Sequence, residues 1–151
     1  MVDLNQPGSI ERTVALLEIQ TILNSYAVMA RDKVDFTKLA TACFRQDGFF
    51  RLPNGHAVKP IEMSAVVQDG EANYIRHHIT GIDIHFESET QARTIAQFIA
   101  VTDQAVPDHW GHWEDIFTRS EDGAWLIFDR TLVIDGQDPK GWFAAKYVPA
   151  A

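Results

Sequence analysis

Tyr74-Ile75-Arg76-His77-His78-Ile79-Thr80-Gly81-Ile82-Asp83-Ile84-His85-Phe86 is the stretch on which the fold turns. Ile82, Ile84 and Phe86 alternate with Gly81, Asp83 and His85, whereas the apolar residues upstream are spaced in threes and fours. A period of two belongs to a strand with one buried face. Read by simple alternation, His78, Thr80, Ile82, Ile84 and Phe86 share the apolar face, and His77, Ile79, Gly81, Asp83 and His85 share the other. His78 is thus expected to point to the concave, apolar side of a sheet, and His77 and His85 away from it.

Downstream the same period continues in three further strands, expected at Ala92 to Gln104, His109 to Arg119 and Trp125 to Ile134, with Asp122-Gly123 marking a tight hairpin between the last two. Upstream the pattern is helical. Val14, Leu17, Ile19, Ile22, Leu23, Tyr26, Ala27 and Met29 define a helix from Ile10 to Arg31 with Ser9 as its N-cap, and Phe36, Leu39 and Ala40 a shorter one from Asp35 to Phe44. The two are expected to form a hairpin. Gly48 to Leu52 reads as a short strand closed by a Pro53-Asn54-Gly55 turn, and a third helix is expected from Pro60 to near Gly70. Helices followed by consecutive strands give an α+β class with a curved antiparallel sheet and no βαβ crossover.

Length and charge narrow the function. A chain of 151 residues with 46% hydrophobic content suits one domain, read as 1–151 with a flexible 1–9 and a C-terminal arm over 136–151 that covers a pocket or meets a neighbouring subunit. A net charge of −8 without a Lys or Arg cluster argues against nucleic acid. The lone Cys43 excludes an intrachain disulfide and Cys-based zinc sites. With no run of about 20 consecutive apolar residues, and with neither a basic n-region nor an apolar h-region in Met1 to Gly8, a cytoplasmic protein without a membrane partner is expected.

An imidazole facing an apolar pocket is kept neutral by desolvation, which suits His78 to act as a general base; the alternative is a core histidine satisfied by a hydroxyl or backbone carbonyl. A carboxylate partner is sought where the first helix runs out, at Asp32. An ideal helix sets Asp32 about 120° from Tyr26, so the two meet only if the helix loosens; otherwise Asp32 is solvated, paired or capping the next helix. His109 and His112 have a metal-like spacing, but three apart on a strand they face opposite sides, and no metal site is expected. Asp115 and Arg130 either form a cross-strand ion pair or leave Arg130 to meet an anionic substrate group. Parity leaves the 109–119 strand open, with Trp110, His112, Glu114 and Ile116 taken as the inward set. Trp110, Trp113, Trp125 and Phe117 read chiefly as sheet packing.

Several features recur here in the order found in SnoaL-like proteins of the nuclear-transport-factor-2-like superfamily. They are Tyr26 before Asp32 on the first helix, Phe44-Arg45-Gln46-Asp47-Gly48 opening a strand, and Arg76-His77-His78-Ile79 opening the sheet. Gly111-His112-Trp113-Glu114-Asp115, Asp122-Gly123-Ala124-Trp125-Leu126-Ile127 and Arg130 complete the set. The resemblance implies a cone of sheet and N-terminal helices around an internal apolar pocket. The superfamily includes dehydratases, dehydrochlorinases, ketosteroid isomerase and non-catalytic oxygenase subunits, so it does not fix an activity. Carried over from the dehydratase-like members, His78 is the base, Asp32 its orienting partner and Tyr26 the group that polarises a carbonyl or leaving hydroxyl, with Asp35 a competitor for the acidic position. Ile82, Ile84, Trp110, His112 and Arg130 are then expected around the substrate. The function implied is a cofactor-independent lyase or isomerase acting on a small hydrophobic hydroxy or carbonyl compound, with a non-catalytic ligand-binding or assembly module as the alternative. Either form is expected to self-associate as a homodimer or homotrimer.

Overall fold

Ser9 starts the first helix as its spacing requires: the side-chain oxygen accepts a hydrogen bond from the Arg12 amide (3.1 Å) at the head of α1 (Ile10–Ala30). The computed structural model describes residues 3–31, 36–63 and 72–146. Ala15, Ile19, Leu23, Tyr26 and Ala30, four, four, three and four apart, form the buried stripe of α1. α2 (Phe36–Cys43) buries Phe36, Leu39, Ala40 and Cys43 and packs against α1 as the expected hairpin. Leu4, in the segment expected to be flexible, is buried, and its carbonyl accepts from Arg12 Nη1 (2.8 Å).

The sheet has six strands: β1 (Phe44–Arg51), β2 (Ala57–Val58), β3 (Ile75–Phe86), β4 (Gln91–Thr102), β5 (His109–Arg119) and β6 (Trp125–Gln137), in spatial order β2-β1-β6-β5-β4-β3. β3 to β6 form the expected antiparallel meander, and β1 joins the far edge parallel to β6. The β1–β6 register shifts between Phe44 and Phe49, where a Cβ on Gly48 would stand 1.8 Å from the Phe128 carbonyl oxygen, so only glycine fits that approach. The molecule is an α+β cone, a curved sheet closed on its concave side by α1 and α2. Of the helix expected over 60–70, a 3₁₀ turn covers Pro60–Glu62, and residues 64–71 lie outside the described ones. A short C-terminal helix, α3 (Trp142–Lys146), packs Trp142 and Phe143 against Ala72, Ile75, Leu132 and Ile134.

Two face assignments are corrected by the structure. In β3 the register shifts between Ile79 and Gly81: Ile79 pairs with Phe98 and Gly81 with Gln97, leaving Thr80 as an extra residue. The bulge reverses the parity of everything before it. Ile82, Ile84 and Phe86 face the core as expected, but Ile75, His77 and Ile79 face inward with them, and His78 is exposed. In β5 the buried set is His109, Gly111, Trp113, Asp115 and Phe117, so Trp110, His112, Glu114 and Ile116 lie on the outer side. The larger apolar volume of Trp113 and Phe117 decides that face, and Asp115 is tolerated there because a buried cation meets it.

Candidate active site

The inward histidine, His77, stands where β3 passes the last turns of α1. Its ring centroid lies 6.3 Å from Tyr26, 5.4 Å from Trp113, 5.3 Å from Phe98 and 6.0 Å from His109. Its Nδ1 is buried and has no hydrogen-bond partner among the described residues. Burial, with His109, Arg130 and His78 adding to it, pushes the imidazole down to about 3, so His77 is neutral at ordinary pH. A cavity of about 260 Å³ opens beside it between Ala27, Val28 and Arg31 of the α1 end and Arg76, His77 and His78 of β3. The cavity therefore has Ala27 and Val28 with the charged Arg31 on its helix side and His77 on its sheet side.

Tyr26 is buried beside His77. Its ring is edge-on to Trp113 (5.0 Å) and to Phe44 (6.0 Å), and the Arg130 guanidinium carbon lies 4.2 Å from it and 4.3 Å from Trp113. Burial raises the Tyr26 phenol above its ordinary value against the opposing pull of Arg130, so the hydroxyl keeps its proton as a donor. Arg130 donates from Nε and Nη2 to the two oxygens of Asp115, both at 2.7 Å, and the pair is fully removed from solvent. The register places the two residues opposite each other on β5 and β6. Burial works against the guanidinium charge, but Asp115 outweighs it and holds the arginine charged. Of the two readings open in the sequence, the ion pair is the one found; Arg130 is committed to Asp115, and breaking such a pair by removing one partner costs about 3–5 kcal/mol.

Of the residues expected at the site, Tyr26, Ile82, Ile84 and Arg130 lie on the concave side. His78 contributes only to the cavity rim. Trp110 and His112 sit on the convex face, where His112 lies 3.3 Å from both Glu114 and Asp135. Asp32, which follows Arg31 in the chain, and Asp35 lie outside the described residues. The sequence reading set His77 on the outer face, weighed His109 only as a metal ligand and did not single out Asp108; in the structure His109 Nδ1 lies 2.8 Å from Asp108 Oδ1, and both residues are buried. A signal for His77 was present: a lone glycine inside a strand pattern, Gly81, marks a bulge. A second groove of about 240 Å³, walled by Leu4, Ile10, Val14 and Trp125, lies at the opposite end of α1 and contains no histidine.

No group of three or more His, Cys, Asp or Glu side chains able to hold a metal ion is found among the described residues. The family model of the SnoaL-like domain matches residues 11–131. No curated protein matches the chain. Among solved structures the fold is shared with a putative scytalone dehydratase from Novosphingobium aromaticivorans, with 19% identity, 93% of each chain covered and a TM-score of 0.73. It is shared equally with a hexachlorocyclohexane dehydrochlorinase from Novosphingobium barchaimii, with 14% identity, 85% of this chain and 92% of that one covered and a TM-score of 0.74. The β subunit of a putative aromatic-ring-hydroxylating dioxygenase from Novosphingobium aromaticivorans also matches, with 16% identity, 84% and 93% covered and a TM-score of 0.67.

Proposed function

Since the chain belongs to the SnoaL-like domain family, we propose that it is a cofactor-independent lyase or isomerase in which His77 removes a proton from carbon. The observation that carries this reading is the His77 imidazole, which is neutral, belongs to a residue that lines the cavity, and keeps a buried Nδ1 with no partner among the described residues. A native core rarely leaves such an atom unmatched without a use for it. The base takes the proton onto the imidazole as the C–H bond breaks, and the electron pair moves toward a carbonyl oxygen or expels a leaving group. The Tyr26 hydroxyl, kept protonated, supplies a hydrogen bond to that oxygen or to the leaving group. Asp32 follows the cavity-lining Arg31 and is the carboxylate assigned to stabilise the imidazolium.

The cavity volume of about 260 Å³ is just below the usual small-molecule range of about 300–1,000 Å³. It fits a small substrate with a hydrophobic body against Ala27 and Val28. The matched scytalone dehydratase and dehydrochlorinase carry eliminations in their names, and elimination or isomerisation of a hydroxy or carbonyl compound is the reaction class assigned to this chain. The test is turnover of a panel of small cyclic hydroxy-ketones by wild-type protein, His77→Gln and His78→Gln. Loss of about 10²–10⁴-fold in kcat/KM is expected for His77→Gln only. Equal activity of His77→Gln and wild type would refute the assignment.

A second reading, an assembly module, is favoured by the convex face, where Ile95, Ile99 and Trp110 are 48%, 41% and 38% exposed. The oxygenase subunit neighbour is consistent with it. On the catalytic reading the same face joins copies of this chain into a homodimer or homotrimer, and the two readings part on whether the purified protein alone turns over the panel.

A further inference from the structure

Asp108 has no solvent exposure, yet its carboxylate is saturated with donors. Oδ1 accepts from the Phe143 amide (3.1 Å) and lies 2.8 Å from His109 Nδ1; Oδ2 accepts from the Thr102 hydroxyl (2.8 Å) and the Trp142 amide (2.7 Å). Two backbone amides and a hydroxyl already donate to it, so the fourth contact is satisfied when His109 donates as well. That requires a proton on His109 Nδ1, the tautomer that in a neutral imidazole leaves Nε2 as the acceptor nitrogen.

The same C-terminal residues hold the ring itself. Phe143 stacks on His109 with centroids 4.4 Å apart and planes at 29°, and the ring also meets Phe98 at 5.8 Å, His77 at 6.0 Å and Trp142 at 6.2 Å. The approach of the C-terminal segment is close enough to need glycine: a Cβ on Gly141 would stand 2.7 Å from Asp108 Oδ2. The Asp138 amide donates to the Asp108 carbonyl at 2.7 Å, fixing the segment on the other side.

We propose that Asp108 is a positioning residue that sets the tautomer and orientation of His109 beside His77 and makes both depend on the docked C-terminal segment. The functional consequence rests on the reading of His77 as the base, since the His109 ring lies 6.0 Å from the His77 ring, centroid to centroid. Burial opposes ionisation of Asp108, but the bonds from His109, Thr102 and the Phe143 and Trp142 amides prevail and hold its carboxyl below the usual range, in keeping with the geometry.

The experiment uses ¹⁵N-histidine-labelled full-length protein without substrate, so that it stands or falls apart from the assignment of the base. Imidazole ¹⁵N shifts give the His109 tautomer, and amide exchange at Trp142 and Phe143 reports docking. In the wild type the Nδ1–H form is expected. In Asp108→Asn the ring should turn to the Nε2–H form, because the carboxamide NH₂ donates to Nδ1, and exchange at the two amides should rise about fivefold or more. Gly141→Ala leaves the carboxylate in place, and is expected to speed exchange and shift the His109 resonances together. An Nε2–H ring in the wild type, or faster exchange in Gly141→Ala with unmoved His109 resonances, would overturn the proposal.

Discussion

His77 is neutral for a reason that also makes it expensive in acid. Its imidazole is held at about 3 in the folded protein against an ordinary value of 6.5. As pH falls below 6.5 the unfolded chain takes up a proton that the folded one refuses, so stability decreases down to about pH 3 and is regained as pH rises. The contribution is about 1.4 kcal/mol per pH unit within that window. Urea unfolding of wild type and His77→Gln at pH 7.5 and 5.5 is expected to show an excess loss of about 1.4 kcal/mol in the wild type, and parallel losses would contradict the burial of the ring. At this scale the sequence was only partly legible. Ile82 and Ile84 were placed on the right side by alternation alone, Tyr26 entered the site through the family resemblance, and the cross-strand pair of Asp115 and Arg130 was one of two readings that register later decided. His77 and His78 are adjacent and chemically identical, so composition cannot choose between them; only the backbone does.

That choice is made at the scale of the element by one residue, Thr80. The limits of β3 to β6 were readable to within a few residues from their alternation, because burying one face of a strand imprints a period of two. The bulge was not read, because an extra residue leaves the alternation intact on each side and changes only the phase between them. The outward set of β5 was misread for a related reason: both of its faces mix apolar and charged residues, and the face that holds Asp115 is inward only because Arg130 arrives from β6. Deleting Thr80 removes the bulge and keeps His77, Ile79 and Ile82 inward. Deleting Asp83 forces the strand to straighten the bulge by turning Ile82 out of the core. We expect the Thr80 deletion to be the milder of the two by about 1.5–3 kcal/mol in chemical denaturation, the value of one buried aliphatic side chain. The reverse order would mean that Thr80 does not set the phase of β3.

For the whole molecule, the order of helices and strands was enough to give the α+β class, and the cone follows from a curved sheet closed by α1 and α2. What the order could not show is the convex face, since exposure depends on what else covers the sheet. Ile99 pairs with Trp110 there, with Ile95 beside them on β4. Ile99→Glu is expected to convert a sedimenting dimer or trimer into a monomer without loss of fold; an unchanged sedimentation coefficient would remove this face from any assembly. The cavity at the α1 end brings the scales together, because it exists only where α1, the phase of β3 and the His77 ring meet. The most direct measurement of its purpose is exchange of the α-proton of a small cyclic ketone in D₂O, followed by NMR with wild-type protein, His77→Gln and His78→Gln. Exchange catalysed by wild type and His78→Gln and abolished in His77→Gln is the result expected; exchange that survives in His77→Gln would contradict the assignment of His77 as the base.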